Sequence, residues 1–354
     1  MADRSSAAVR IATRGSALAL AQSTWVRDQL AAIFPGRRFE LNIIKTTGDR
    51  LPSASLAHPD SALPRGLFTK ELEVALLAGE ADLAVHSLKD LPTELPEGLT
   101  LAATPHREDV REVLLYRGER LRTVADPTVA DWQPGRRSPW FGGAWKGLAD
   151  LPSGAVVATS STRRAAALRA LRPDLGMTEI RGNVGTRLQK LCDQMEWDAT
   201  LLAAAGLVRL HFDISPRGEL RVDPRLPAAV RAQVAPPPEG IQATLLDPET
   251  FLPAVGQGAL GLEVRKDDEE TLALCRALNH ANTLAAVTAE RALLSGLGGG
   301  CQSPVAAHAR VLGHQLHLTA AWYRDDGVRR AESRRPVREA EALGRAVADQ
   351  LLAA

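Results

Sequence analysis

Val9-Arg10-Ile11-Ala12-Thr13-Arg14-Gly15-Ser16-Ala17-Leu18-Ala19-Leu20-Ala21-Gln22 decides the fold. Its first five residues form a short, mostly apolar run and predict a strand over 9–13. From Ser16 the apolar spacing lengthens to that of a helix, which is predicted over 16–33 and must stop before Phe34-Pro35-Gly36. A strand that passes into a helix through Arg-Gly-Ser is a unit of an α/β protein. Outward from it the same order recurs. Residues 40–45 read as the next strand. Residues 46–66 carry Gly, Pro, Ser and Asp with little period, which is long for an ordinary connection and predicts a lid or a disordered insert. A helix over 67–77 ends at Gly79, and a strand over 82–87 runs into the turn Lys89-Asp90-Leu91-Pro92.

After Arg107 a second unit follows. Residues 120–154, with Trp132, Trp140 and Trp145, read as an excursion from the core. Strand 155–158 and helix 162–171 repeat the opening order, as do strand 178–180 and helix 186–195, before another strand at 198–203. Pro236-Pro237-Pro238 suits neither a helix interior nor a central strand and is assigned to a surface loop. Helical spacing returns over 268–278 and 284–294, ahead of Gly298-Gly299-Gly300-Cys301. From Val305 the pattern alternates like strands and closes with an amphipathic helix over 338–352.

Length and composition narrow the function. At about 150 residues per domain, 354 residues make two or three domains. The 43 basic side chains nearly cancel the 42 acidic ones, so neither nucleic acid nor an anionic membrane is the expected partner. Aromatic residues at 4% argue further against base-stacking platforms. Cys192, Cys275 and Cys301 are too scattered for a disulfide framework or a zinc site, and no metal is expected. The polar first ten residues, with no long apolar stretch behind them, lead us to expect a cytoplasmic protein, and nothing demands more than a monomer. Yet 37 of the 43 basic residues are Arg, the side chain that grips carboxylates in two-point contact. Many reflect compositional bias; their positions decide the rest.

Three strand-to-helix junctions share one composition: Thr13-Arg14-Gly15-Ser16, Thr159-Ser160-Ser161-Thr162-Arg163-Arg164 and Arg181-Gly182-Asn183-Val184-Gly185-Thr186-Arg187. Each sets Arg and small or hydroxyl residues at a helix start, where unpaired N–H groups favour an anion. One such junction is an ordinary N-cap. Three point to a ligand with several negative groups, bound in a cleft at the carboxyl ends of the strands. In His86-Ser87-Leu88-Lys89-Asp90-Leu91-Pro92 a carboxylate stands beside an ammonium. Such an acid can stabilise positive charge or relay a proton, although Asp is also common in turns for local reasons. His86 reads as a hydrogen-bonded structural residue. Behind three glycines, Cys301 is as compatible with a reachable nucleophile as with a structural thiol, whereas Cys192 and Cys275 fall in helical periods and read as packing residues. Gly256-Gln257-Gly258-Ala259-Leu260-Gly261 fits no dinucleotide fingerprint and reads as a close glycine approach between domains.

In this order the motifs resemble the porphobilinogen deaminase (hydroxymethylbilane synthase) family over nearly the whole chain. The blocks are 11–22, Thr46-Thr47-Gly48-Asp49, 66–73, 86–92, 159–164, 181–187, Ala205-Gly206-Leu207-Val208-Arg209-Leu210, Pro253-Ala254-Val255-Gly256-Gln257-Gly258, and Glu290-Arg291 through Cys301. The resemblance implies three α/β domains, the first two like periplasmic binding proteins with mostly parallel or mixed sheets. They would be 8–107 with 255–276, 108–254, and a small α+β domain over 277–354. It further implies that Cys301 carries a covalent dipyrromethane cofactor through a thioether. Four porphobilinogen molecules would be deaminated and joined head to tail onto it before water releases hydroxymethylbilane. By the same resemblance Asp90 is the catalytic acid. Arg14, Arg163, Arg164, Arg181, Arg187 and Arg209 line the cleft, with Ser16, Ser87, Lys89 and Ser161 adding hydrogen bonds or charge. Arg65 and Phe68 belong to the lid, Arg65 standing where the family has Lys, and Ser303 replaces an apolar residue. The segments 120–154 and 211–252 are longer than the family needs. A non-catalytic polycarboxylate binder on the same scaffold is the alternative; it would require neither Asp90 nor Cys301.

Overall fold

A computed structural model describes residues 7–46, 69–117, 147–194, 196–300 and 302–354. Arg65, Phe68, Cys301, nearly all of the 46–66 segment and most of the 120–154 segment with its three tryptophans lie outside the described residues. In chain order the elements are β1 (Val9–Arg14), α1 (Ala17–Ile33), β2 (Phe39–Ile44), α2 (Lys70–Leu77), β3 (Leu83–Ser87), β4 (Leu99–Ala103), β5 (Glu112–Arg117), β6 (Val156–Ala158) and α3 (Thr162–Leu171). They continue with β7 (Gly176–Thr178), α4 (Val184–Asp193), β8 (Ala199–Ala203), α5 (Ala204–Arg209), β9 (Phe212–Ile214), β10 (Leu220–Val222), α6 (Ala228–Arg231) and β11 (Ile241–Leu245). The last are β12 (Leu260–Arg265), α7 (Glu269–Arg276), α8 (Ala281–Gly296), β13 (Val305–Leu312), β14 (Gln315–Arg324), β15 (Gly327–Pro336) and α9 (Ala340–Ala353). The chain divides into unit 1, Met1–Glu108 with Ala254–Trp322 and Arg329–Ala354, and unit 2, Asp109–Pro253 with Tyr323–Val328.

Unit 1 holds a mixed sheet in the order β2-β1-β3-β12-β4. β1 runs parallel to β2 and β3, while β12 returns from far along the chain and lies antiparallel between β3 and β4. Alternation puts Ile11, Leu83, Leu262 and Val264 into a core with Val26 and Leu30 of α1, all fully buried. A second core in the same unit joins α8 and α9 to the sheet β13-β14-β15 through Leu293, Leu318, Leu343, Val347 and Leu351. Here α9 comes so close to α8 that a Cβ on Gly344 would overlap the carbonyl oxygen of Ala289, which explains a glycine inside a helix.

Unit 2 holds a mixed sheet in the order β11-β5-β8-β6-β7. β6 is parallel to β7 and β8, and β5 is antiparallel to β8 and β11. Val113, Leu115, Leu202 and Ile241 pack there against Leu188 and Leu191 of α4. The fold class expected from the sequence, α/β with mixed sheets and a separate C-terminal α+β part, is thus present.

Among the boundaries that differ from the sequence reading by a few residues, two have a local cause. The strand expected at 178–180 lies two residues earlier, because this short edge strand takes its register from β6 (Val156↔Gly176 to Ala158↔Thr178) and not from its own apolar residues. The helix expected from 186 begins at Val184, since Asn183 caps it through Thr186 N. The segment 211–252 also supplies the β9–β10 hairpin and β11, the strand that completes the second sheet beside β5. Residues 236–238 stay outside regular structure, as expected for the proline run. Among the described residues no helix is long and apolar enough to cross a membrane.

Candidate functional site

Unit 1 gathers part of the set at the carboxyl ends of β1 and β3. Arg14 closes β1, and Ser16 caps α1 by accepting a hydrogen bond from Ala19 N at 3.3 Å. Gln22 Nε2 donates to Ser87 Oγ at 2.9 Å, tying α1 to the end of β3. The chain then makes a single turn of 3-10 helix, Leu88–Asp90, closed by Leu91 N donating to Leu88 O at 3.1 Å. Lys89 Nζ lies 3.5 Å from Gln257 Oε1. Asp90 is half-buried, and its carboxylate has no hydrogen bond or ion pair among the described residues. A carboxylate partly withdrawn from water without a protein partner is available to a ligand.

What holds this turn was not read from the sequence. Gly256 has φ of 72°, and a Cβ there would meet Lys89 N at 3.2 Å, so only glycine lets the 254–258 loop lie under the turn. Glu290 of α8, fully buried, receives that loop through Gly256 N at 2.7 Å. Its oxygens also accept from Ala309 N at 2.8 Å and from both ends of the Arg107 guanidinium at 2.8 and 3.0 Å. With each oxygen doubly bonded and a cation opposite, the buried charge is compensated. His86 Nε2 sits 2.9 Å from Glu263 Oε2 in the same interior, so His86 is the structural, hydrogen-bonded residue expected. Nearby, burial pushes the Glu73 carboxyl up, and the like charge of Glu263 adds to this.

Unit 2 carries the other members. Ser161 caps α3, its Oγ accepting from Arg164 N at 3.4 Å. Arg163 and Arg164 are buried, and both close on one carboxylate, Glu112 at the start of β5. Arg163 also donates to Leu252 O at 2.8 Å, and Arg164 to Leu201 O at 2.9 Å. Desolvation pulls the Arg163 pKa down, with Glu112 pushing it back up. Around Gly182 the picture differs. Its φ of 115° and the 2.6 Å that would separate a Cβ from Thr186 Cγ2 reserve the position for glycine. Arg187 Nε donates to Gly182 O at 2.8 Å, and Arg209, half-buried, ends α5. Arg181 is the exception: its Nε and Nη2 are enclosed, with no hydrogen-bond partner among the described residues. Those two donors form the side-on fork that matches a carboxylate. A ligand carrying carboxylates fits this orphaned pair, which is the test the residues offer for a polycarboxylate cofactor.

Sequence reasoning missed Glu112, Arg107 and Glu290. The one available signal was a charged residue opening an otherwise apolar strand, Glu112-Val113-Leu114-Leu115-Tyr116, where burial requires a partner. Cys192 and Cys275 are both buried, and burial pushes the Cys275 thiol up to about 12, where it is unreactive at neutral pH. Among the described residues no group of three or more His, Cys, Asp or Glu is arranged to hold a metal ion.

Among the described residues, the two enclosed donors of Arg181 at a strand-to-helix junction and the unpartnered carboxylate of Asp90 on the turn after β3 are groups of an α/β protein open to a ligand. Comparison with known proteins is more specific. The family description "Porphobilinogen deaminase, dipyromethane cofactor binding domain" matches residues 9–273, and "Porphobilinogen deaminase, C-terminal domain" matches residues 284–353. The porphobilinogen deaminase of Geobacter metallireducens is 42% identical over 98% of this chain and 91% of its own. That of Desulforudis audaxviator is 44% identical over 97% of this chain and 94% of its own. The chain belongs to the porphobilinogen deaminase family. Among solved structures, the periplasmic aliphatic sulphonate binding protein SsuA from Escherichia coli is 15% identical, over 81% of this chain and 70% of that one, at a TM-score of 0.36, too low to bear on the fold.

Proposed function

We propose that this protein is a transferase of tetrapyrrole biosynthesis that deaminates four porphobilinogen molecules and joins them head to tail onto a dipyrromethane held by Cys301. Hydrolysis then releases hydroxymethylbilane. Asp90 carries the reading: a half-buried carboxylate with no partner among the described residues, on a turn whose backbone is fixed from below. The bound dipyrromethane supplies a pyrrole carbon as nucleophile and stays behind as primer.

Asp90 accepts a pyrrole N–H and offsets the positive charge that grows on the substrate ring as ammonia leaves. A preset carboxylate there needs no reorganisation at the moment of reaction. Each pyrrole bears an acetate and a propionate, and the arginines are the residues for these. Arg181 offers its enclosed Nε and Nη2 as a two-point contact, and Arg14, Arg187 and Arg209 stand at the other junctions and at the end of α5. Arg163 and Arg164, locked by Glu112, add a fixed net positive charge at the start of α3. Ser16, Ser87, Lys89 and Ser161 hold the junctions in shape or add charge, and Arg65 and Phe68 are assigned to the lid. The proposal keeps the three-domain division, with 277–354 carrying the cofactor, and a monomer acting in the cytoplasm.

Supplying porphobilinogen and following ammonia and hydroxymethylbilane tests the function. The expected result is four ammonia per tetrapyrrole released. Binding of porphobilinogen without ammonia release would favour the non-catalytic polycarboxylate binder instead.

A further inference from the structure

Arg291, on α8 next to Glu290, takes no part in the junctions. Its Nη1 donates to Leu91 O at 3.2 Å, and its Nη2 to Pro92 O at 2.6 Å and Thr93 O at 3.0 Å. These are the three carbonyls that follow Asp90 in the chain, in a stretch outside any strand or helix. The guanidinium is largely enclosed, so that burial lowers its pKa and the Glu263 carboxylate opposes this. Such a charge is costly to enclose unless its donors are used. Here they go to backbone oxygens of one segment.

On the other side of the turn, Glu290 holds Gly256 N, and Gly256 lies against Leu88 and Lys89. Two successive residues of one helix therefore grip the chain before and after Asp90, one through the loop beneath it and one through its following carbonyls. Five residues further, the same helix ends at Gly296, ahead of the glycines that precede Cys301 in sequence. A planar fork reaching three carbonyls is a task for Arg that the point charge of Lys performs only in part.

We propose that Arg291 is a positioning residue for Asp90: by fixing the carbonyls of Leu91, Pro92 and Thr93 it sets the direction in which the turn presents the carboxylate, and it anchors that turn to α8. This rests on the reading of Asp90 as the catalytic acid.

The test uses the holoenzyme in four forms: wild type, Arg291→Gln, Arg291→Lys and Asp90→Ala. For each, kcat and KM for porphobilinogen, the mass of the attached group and the melting temperature are measured. Arg291→Gln is expected to lower kcat about 10- to 100-fold with KM changed less than about threefold, the cost of a misplaced group. Arg291→Lys should recover part of that loss, and both should carry the attached group. If Arg291→Gln melts below the assay temperature, Arg291→Lys decides by the same kcat-against-KM split. The proposal is overturned if both variants keep kcat within about twofold of wild type while Asp90→Ala is inactive, or if the loss vanishes on correcting for chains that lack the attached group. Full turnover by Asp90→Ala would instead remove the reading on which the proposal stands.

Discussion

The Asp90 turn of unit 1 and the Arg163-Arg164 junction of unit 2 solve opposite problems. At the turn the backbone is gripped by Gly256, Glu290 and Arg291 while the Asp90 carboxylate is left without a partner among the described residues. At the junction the side chains themselves are gripped, two guanidiniums closing on Glu112 and on backbone carbonyls. One region holds its scaffold so that a side chain stays available. The other ties its motif side chains, Arg163 and Arg164, to the protein itself. Residue type at a strand-to-helix junction does not reveal how a side chain is paired; its burial and contacts do.

The comparison breaks most sharply at its two poles. Asp90→Ala should lower turnover at least about 10²- to 10³-fold, the scale of losing one charge-stabilising group. Its melting temperature should stay near that of wild type, because Asp90 bonds to nothing among the described residues; a large drop would show that the carboxylate is structural after all. Glu112→Gln should do the reverse. It strands two buried guanidiniums and is expected to cost about 3 to 5 kcal/mol of stability in denaturant unfolding. Unchanged stability would mean that the arginines do not need Glu112.

A smaller effect separates Glu112 from another buried carboxylate of unit 2. Asp198 accepts Val156 N at 2.7 Å through one oxygen, but its other oxygen has no partner among the described residues, and burial pushes its pKa from 3.8 to about 6. The folded state then binds this proton more tightly than the unfolded chain. Its contribution to stability therefore falls as pH rises from about 4 to 6 and stays low above that. Asp198→Asn should raise stability by about 2 to 3 kcal/mol at pH 8 and change it little at pH 4. Equal effects at both pH values would contradict a buried, uncompensated carboxylate. Smallest of all, Arg181→Gln should weaken substrate or product binding about tenfold, the loss of a charge-assisted contact, without lowering stability, since its enclosed donors bond nothing among the described residues. A drop in melting temperature instead would assign it a structural place.

Most elements were legible because their signals are local. The shift of apolar period at Ser16 set α1, and three cap residues, Ser16, Ser161 and Asn183, each accept from the backbone N–H three residues on. What escaped depends on pairing across the chain. Arg107 meets Glu290 from 183 residues away, and Arg291 meets Leu91 from 200. Nothing in either neighbourhood announces the partner. The short edge strand β7 was misplaced for the same reason, since its register belongs to β6. The family motif singled out Asp90, yet its lack of a partner among the described residues and the clamp around it are visible only in three dimensions.

The most direct measurement is the intact mass of the purified protein beside that of Cys301→Ala. The bare chain weighs 37.9 kDa. The account predicts a wild-type mass greater by two linked pyrrole units, and a Cys301→Ala chain without them. An active wild-type protein at the mass of the bare chain would contradict it.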